Sequence, residues 1–356
     1  MIQDKIKELY LSLRQEDREA LMKELHIISF DLPATEDSVD SCPHCHASSV
    51  IKYGTHKGEQ RYQCKSCRRT FNSISGTAIG KIIKKKEFLA CQNLMLTEGY
   101  MSLEKTAKRL NISIPTAFAW RHKILLSLPA SVSKFEGDTE IDDLWFLYSQ
   151  KGRKGLDYSR KRGGTKHKGD NDFQVKMLAT ANKKQLDLKV VKIGRLSQSD
   201  IQRAMGDKFT KKTTLVSDKH QSIAAFANRA KIKHESFKAS DHVTAEGKGV
   251  QRVNNIAERL KTSVNRTLHG VSTKYLQMYA NWFKTIENYK DEVKENKVFQ
   301  KAMLSNKTAW DVYTNIEKVY ERFIKNHSVR TYRCPILSRV KASNWNQHVI
   351  NEYAFI

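Results

Sequence analysis

Four cysteines near the start of the chain have the residue type and spacing of metal ligands. They form two pairs separated by 18 residues, Cys42 with Cys45 and Cys64 with Cys67. Two such pairs can place four thiolates around one tetrahedral Zn²⁺, a shell that leaves no open position for catalysis. His44 and His46 could substitute as ligands, but the four cysteines already fill the shell. We therefore predict a structural Zn²⁺ site in a zinc ribbon.

Carboxylates further along the chain could hold a second kind of metal ion. Glu140 and Asp142 alternate on a predicted strand and share one face, whereas Asp143 points to the opposite face. Asp218 ends an apolar run that begins at Thr214, and α/β sheets build sites at the carboxyl ends of their strands. Carboxylates on adjacent central strands could bind Mg²⁺ or Mn²⁺ through oxygen. An acid that ends a strand can equally be a cap for the next helix.

A third ligand is expected from a helix predicted at 251–268. Asn254 follows Asp218 after 35 intervening residues and could offer its amide oxygen to a hard cation. Lys261 lies seven residues further on, on the same face of the helix, and could bind a phosphate. Glu258 is the alternative ligand, because helix geometry alone does not separate it from Asn254.

The segment between the cysteines and the carboxylates has the pattern of a helix-turn-helix. Ser102 is placed to cap a first helix, and Asn111 begins a turn. Ser113 is placed to cap a second helix, with Pro115 in its first turn. The second helix would present polar side chains to the major groove of DNA. The predicted DNA contacts are Thr116, Arg121 and Lys123. Helical hairpins of other function share this pattern.

A basic loop that contains glycine is predicted between the first two strands of the larger domain. Its predicted DNA contacts are Lys151, Arg153 and Lys154. Beside an active site, such a loop could hold a phosphate backbone. A solvated flexible loop is the alternative interpretation.

The composition indicates a folded protein and predicts a partner of opposite charge. The charge alone does not separate nucleic acid from an anionic membrane surface, or from a contribution to solubility only. The 356 residues include 63 Lys and Arg against 38 Asp and Glu, which gives a net charge of +25. An apolar fraction of 39% is too high for a disordered basic tail. No apolar run of about 18 residues and no secretory leader are present, so we expect neither a membrane span nor export. The paired cysteines favour a reducing cytoplasm.

These elements divide the chain into five predicted parts. They are a helical segment with a linker at 1–38, the zinc ribbon at 39–80, the helix-turn-helix at 81–130, an α/β domain at 131–285 and a helical C-terminal region at 286–356. The α/β domain is predicted to contain three strands, then helix, strand, helix, strand and helix. The predicted strands are 139–148, 172–181, 185–193, 213–218 and a short one at 232–237, and the predicted helices are 199–209, 219–230 and 251–268. This order is typical of an RNase H-like catalytic domain.

The chain resembles the zinc-ribbon insertion-sequence transposases of the ISXO type, whose DDE-like core can have Asn in place of the final acid. The motifs behind the resemblance run from about residue 40 to 285 and are the two cysteine pairs, Glu140-Ile141-Asp142, Ser149-Gln150-Lys151-Gly152, Ser217-Asp218, Val253-Asn254-Asn255 with Leu260-Lys261, and His269-Gly270-Val271-Ser272-Thr273-Lys274-Tyr275-Leu276. The resemblance implies that Asp142, Asp218 and Asn254 are metal ligands. It also implies that Lys261 contacts DNA. The sequence departs from the family at Asp143, where Glu is usual, and at Lys219-His220, where Gly and an aromatic residue are common.

The expected function is therefore that of a DNA transposase. It would bind the ends of an insertion sequence and catalyse metal-dependent strand cleavage and strand transfer. The expected partners are double-stranded DNA, both element ends and target, and further copies of the chain on that DNA in the bacterial cytoplasm. A catalytically inactive, transposase-derived DNA-binding regulator is the alternative. A nuclease that cleaves without joining strands is a third hypothesis.

Overall fold

The computed structural model describes residues 2–18, 20–21, 39–56, 58–129, 132–152, 169, 171, 174–238, 240–241, 243–290 and 297–304. These residues form two compact units. The first consists of the described residues of Met1–Ser127 and Glu292–Ala309, and the second of those of Leu128–Asp291. Arg153 and Lys154, two of the predicted DNA contacts, lie outside the described residues. No helix within the described ranges is long and apolar enough to cross a membrane.

The first unit begins with helix α1 (Ile2–Ser12) and continues, from residue 39, as a small antiparallel sheet. Strand β2 (Glu59–Cys64) lies between β1 (Val50–His56) and β3 (Thr70–Asn72). Tyr62 and Phe71 pair across β2 and β3 and stack with ring centroids 5.9 Å apart. This sheet is too small to bury a large core, so the two aromatic rings and the cysteines form its interior.

Three helices follow, α2 (Lys85–Thr97), α3 (Leu103–Leu110) and α4 (Ile114–Ser127). The caps predicted from the sequence are confirmed: Ser102 Oγ accepts from the backbone N–H of residue 105, and Ser113 Oγ accepts from that of Thr116, both at 3.2 Å. Asn111 ends α3 in the left-handed conformation at φ 49°, which asparagine tolerates better than most residues. Helices α2 and α4 meet at the edge-to-face pair of Phe88 and Trp120.

The second unit is built on a mixed sheet. Its described strands are β4 (Phe135–Leu147), β5 (Gln174–Ala181), β6 (Leu186–Ile193), β7 (Phe209–Asp218) and β8 (Lys233–Phe237). They lie in the order β6-β5-β4-β7-β8, with β4, β5 and β6 antiparallel to one another and β7 and β8 parallel to β4. Helix α5 (Gln198–Met205) precedes β7, and α6 (Gln221–Ala230) connects β7 to β8. The order of strands and helices agrees with the sequence prediction.

Each face of this sheet has its own apolar cluster. On one face, Ile141 and Leu215 pack with Ile201 of α5 and Phe226 of α6. On the other face, Val216 packs with Phe237 and with Val250, which precedes helix α7 (Gln251–Lys261). Strand alternation therefore assigns the side chains that share the face of Val216 to the side of α7. Helix α7 continues directly into a π-helix at Thr262–Thr267.

A second long helix, α8 (Leu276–Asn288), covers the edge strand β6. The Gln277 side chain accepts from the N–H of Val190 at 2.7 Å and donates to the carbonyl of Leu188 at 2.9 Å. The Asn288 side chain makes the equivalent pair of bonds to Leu186, at 2.7 and 2.9 Å. The two amides therefore satisfy backbone groups that an uncovered edge strand would expose.

Helix α9 (Lys297–Leu304) belongs to the first unit. Phe299 is fully buried, and the carbonyl of Met303 accepts from the N–H of Ala78 at 3.2 Å. This helix thus lies with the N-terminal elements, whereas the sequence predicts a separate helical C-terminal region at 286–356. A short amphipathic helix does not specify which distant surface will bury it.

Candidate functional site

The four predicted zinc ligands meet at one point. The sulfur atoms of Cys42 and Cys67 are 3.7 Å apart, and those of Cys45 and Cys64 are 3.6 Å apart. All four lie within 4.8 Å of one another. Metal–sulfur bonds of about 2.3 Å in a tetrahedron give sulfur–sulfur edges of about 3.8 Å, so the separations fit one tetrahedral ion.

The backbone repeats one turn at both cysteine pairs. The N–H of His46 donates to the carbonyl of Cys42, and the N–H of Arg68 donates to that of Cys64, both at 2.9 Å. His46 and Arg68 both adopt the left-handed conformation, at φ 60° and 57°.

The backbone N–H of Cys67 donates to the sulfur of Cys64 at 3.4 Å. This hydrogen bond is the largest of the contacts that lower the pKa of Cys64 to about 6. Cys45, the hydrogen-bonded neighbour of Cys64, has a pKa raised to about 12, so of these two thiols Cys64 loses its proton first.

The second candidate site lies where β4 and β7 run side by side. Glu140 pairs with Val216 in the parallel ladder, and two residues further along each strand come Asp142 and Asp218. The two carboxylates therefore neighbour each other on one face of the sheet. Burial, and next the negative charge of Asp218, raise the pKa of Asp142 from 3.8 to about 7. The structure thus brings together two acids that are distant in the sequence.

Helix α7 supplies the third side of this site. The positive charge of Lys261 opposes the rise in the Asp142 pKa, which shows that Lys261 lies close enough to act on this carboxylate. Asn254 lies on the exposed surface of the same helix. Glu258 is 74% exposed and forms an ion pair with Lys261 at 3.3 Å. Among the described residues, the only group of three or more His, Cys, Asp or Glu ligand atoms that could share an ion is the cysteine group, so Glu258 does not close a cluster with the two aspartates.

Asp143 lies on the opposite face and has different partners. Its carboxylate binds Lys176 Nζ at 2.8 Å and lies 3.6 Å from the Nε2 atom of His220. Asp143 and His220 are both positions at which the sequence departs from the family pattern, and the structure places them in contact. The sequence gives no local signal for this pair, because the two residues are 77 positions apart and meet only in the fold.

Two predicted DNA contacts in α4 are wrong. The Arg121 side chain is buried, and its Nη2 donates to the carbonyl of Met101 at 2.7 Å and to Thr106 Oγ1 at 3.0 Å. Lys123 is also buried, and burial, together with the positive charge of Lys81, lowers its pKa to about 8. The reason is helical periodicity: Arg121 follows the buried Ala117 by one turn and so faces the interior.

The third residue predicted to contact DNA from α4 lies near the start of the helix. Thr116 is partly exposed, and its hydroxyl shares a hydrogen bond with Ser113 at 2.8 Å. It remains a predicted contact.

Lys151 is engaged within the chain. Its Nζ donates to the backbone carbonyls of residues 268, 269 and 270 at 3.0, 3.1 and 2.8 Å. An ammonium group has three N–H donors, so all of them are used in these bonds. Lys151 thus holds the segment that follows the π-helix, and its contact with DNA, which would require these bonds to open, stays a prediction.

The second unit contains a match to a known family. Residues 134–288, less than half of the chain, match the family model described as the ISXO2-like transposase domain. This match confirms the resemblance to insertion-sequence transposases of the ISXO type.

One relative is described as an uncharacterized protein in transposable element ISH50 of Halobacterium salinarum. It is 35% identical over 124 residues, which cover 34% of this chain and 42% of the relative. The chain therefore spans less than half the length of this relative.

Solved structures of lower similarity include two complexes of Mos1 transposase. The pre-cleavage Mos1 transpososome is 9% identical, and the alignment covers 71% of this chain and 82% of that chain with a TM-score of 0.21. The Mos1 paired-end complex with the left transposon end is 10% identical, with coverage of 70% and 81% and the same TM-score of 0.21. Similarity of this degree does not define a shared fold.

Proposed function

We propose that the protein is a metal-dependent DNA transposase with an RNase H-like catalytic domain. In this proposal Asp142, Asp218 and Asn254 hold Mg²⁺ or Mn²⁺, and Lys261 contacts a DNA phosphate. The observation that carries the proposal is the placement of two partly buried aspartates side by side on β4 and β7, within the residues that match the transposase family model. A partly buried acid with a raised pKa, beside a second acid at the carboxyl end of a strand, is typical of a functional site.

The aspartate pair fits a divalent cation. Two carboxylates that face each other repel, which is one reason why the pKa of Asp142 is high. The Oδ1 atom of Asp218 is buried and has no hydrogen-bond partner among the described residues. A buried acceptor without a donor is costly, and a cation would satisfy the Asp218 oxygen and neutralise the repulsion.

The chain's own residues have separate roles in this proposal. When bound, divalent cations supply activation of the attacking hydroxyl and charge stabilisation on the leaving oxygen. Asp142 and Asp218 provide oxygen ligands from rigid strands, which holds them in a fixed geometry. Asn254 adds an amide oxygen from the exposed surface of α7. Lys261, close to Asp142, places a positive charge where a phosphate would approach.

The first unit is proposed to recognise the ends of the insertion sequence. The four cysteines would hold Zn²⁺ as a structural ion, because the thiols form a closed shell. Helices α3 and α4 would act as a helix-turn-helix, with Thr116 near the groove. The net charge of +25 supports a polyanionic partner. Assembly of several copies on DNA is part of the same proposal.

Cleavage of the DNA that flanks the gene, searched first for paired inverted repeats, tests the proposal. Full-length protein with Mg²⁺ should cut these ends and join them to target DNA, whereas Asp142→Asn and Asp218→Asn should bind the ends without cutting. The exposed Asp241 provides a matched control, and Asp241→Asn should behave as wild type. End binding without cleavage by the wild-type protein would favour the inactive regulator. Cleavage without joining would favour a nuclease.

A further inference from the structure

The helical rod that carries Asn254 and Lys261 is held at both ends by side chains from one other segment. The rod consists of α7 and the π-helix, residues 251–267. Its first turn lacks a cap of its own, since Val250 at the cap position provides no side-chain hydrogen bond. Instead, Glu140 Oε2 of β4 accepts from the N–H of Val253 at 3.0 Å. Glu140 therefore replaces the missing cap from 113 residues away.

The opposite end of the rod is held by Lys151. This residue comes four positions after the last residue of β4, and its ammonium binds the three carbonyls that follow the π-helix. Next to it, Ser149 and Thr273 form a reciprocal pair: the N–H of Ser149 donates to Thr273 Oγ1 at 2.9 Å, and the N–H of Thr273 donates to the Ser149 carbonyl at 2.8 Å. The chain after β4 is therefore fastened to the chain after the rod.

The charges match the polarity of the rod. A carboxylate lies at the helix N-terminus, where unpaired N–H groups give a partial positive charge. An ammonium lies at the C-terminus, where unpaired carbonyls give a partial negative charge. Both contacts come from β4 or from the residues just after it, and β4 also carries Asp142. Both ends of the rod are thus bound to β4 or to the residues just after it, and β4 is the strand that carries the proposed metal ligand Asp142.

We propose that Glu140 and Lys151 are positioning residues that set the register of this rod on β4. They would thereby fix Asn254 and Lys261 relative to Asp142, without themselves touching metal or DNA. The inference rests on the proposed transposase function for its catalytic readout, but the contacts themselves can be tested without any reaction. A misplacement of about 1 Å in a catalytic group can cost about 100-fold in rate, so loss of either contact should slow cleavage.

Hydrogen exchange of full-length protein provides the readout that does not depend on activity. In Glu140→Ala, the amides in the first turn of α7, including that of Val253, should exchange faster than in wild type. The exchange rates of the amides of β5 should be unchanged. In Lys151→Ala, faster exchange should appear at residues 268–273. Two exposed residues provide matched controls, and Glu136→Ala and Lys183→Ala should leave both regions unchanged. Unchanged exchange in both Glu140→Ala and Lys151→Ala would overturn the proposal.

End-DNA cleavage provides the second readout. Glu140→Ala and Lys151→Ala should cut about 100-fold more slowly than wild type and bind end DNA equally well. Glu140→Gln keeps an acceptor oxygen for the Val253 N–H and should cut much faster than Glu140→Ala. A folded Glu140→Gln as inactive as Asp142→Asn would make Glu140 a metal ligand and overturn the positioning role.

The two proposals can fail separately. If the wild-type protein does not cut end DNA, the transposase proposal fails and hydrogen exchange still tests the two contacts. If wild type cuts and Glu140→Ala cuts equally fast, the positioning role fails and the transposase proposal stands. If Glu140→Ala does not fold, Glu140→Gln and Lys151→Ala still decide the outcome.

Discussion

Replacing Asp142 with Asn is expected to stabilise the protein at alkaline pH when divalent cations are absent from the buffer. The pKa of Asp142 is raised from 3.8 to about 7, first by burial and then by Asp218. The charged form is therefore disfavoured in the folded state. Below pH 3.8 the group is protonated in both states, and its cost to stability is absent. The cost grows as the pH rises and is complete above about pH 7.

The magnitude follows from the size of the pKa change. At about 1.4 kcal/mol for each pKa unit, the full cost of ionised Asp142 is about 4 kcal/mol. About 2.6 kcal/mol of this develops between about pH 5 and about pH 8. The amide introduced by Asp142→Asn does not titrate, so the variant does not pay this cost. Between about pH 5 and about pH 8, the free energy of unfolding of the variant relative to that of wild type should therefore rise by about 2.6 kcal/mol.

Urea unfolding at a series of pH values from about 5 to about 8, followed by tryptophan fluorescence, measures this difference. The exposed Asp241 serves as the control, and Asp241→Asn should follow the wild-type pH dependence. Mg²⁺ should stabilise wild type at the alkaline end of the series and not Asp142→Asn. With a Kd of about 1 mM, about 10 mM free Mg²⁺ would add about 1.4 kcal/mol. The reasoning would be refuted if the free energies of unfolding of wild type and Asp142→Asn changed in parallel with pH.

Other substitutions test the remaining assignments. Cys64→Ser should reduce bound zinc from one ion per chain towards none, because it removes one of four thiolates, and metal analysis measures this. Arg121→Ala should lower the free energy of unfolding by about 3 kcal/mol, since it leaves buried carbonyl and hydroxyl acceptors without a donor. Asn254→Ala should abolish end cleavage, whereas Glu258→Gln should be mild because it removes only a surface ion pair worth under about 1 kcal/mol. Lys261→Ala should weaken engagement of the DNA end and leave Mg²⁺ binding intact.

Each of these results has a clear contrary outcome. A Cys64→Ser protein that still bound one zinc ion per chain would show that Cys64 is not a metal ligand. A stable Arg121→Ala protein with weakened end binding would restore Arg121 as a DNA contact. An inactive Glu258→Gln beside an active Asn254→Ala would make the third ligand a glutamate. Loss of Mg²⁺ binding in Lys261→Ala would show that Lys261 acts on the metal site.

Local signals allowed much of the fold to be predicted from the sequence. The strand predicted at 185–193 is observed at Leu186–Ile193, and the helix predicted at 251–268 is observed as α7 followed by the π-helix to Thr267. These elements are specified by apolar runs and periodicity within a few residues. The caps at Ser102 and Ser113 and the cysteine turns are also local, because their partners lie within a few residues.

The sequence by itself therefore determined which segments become strands and helices and which four cysteines can bind metal. Tertiary structure alone decided which side chains meet. Lys151 has the residue type of any surface lysine, but its partners begin 117 residues away, and Glu140 contacts a helix 113 residues away. Arg121 became a buried scaffold residue because its face of α4 turns inwards. Such contacts depend on how elements pack, and neither residue type nor spacing specifies packing between distant segments.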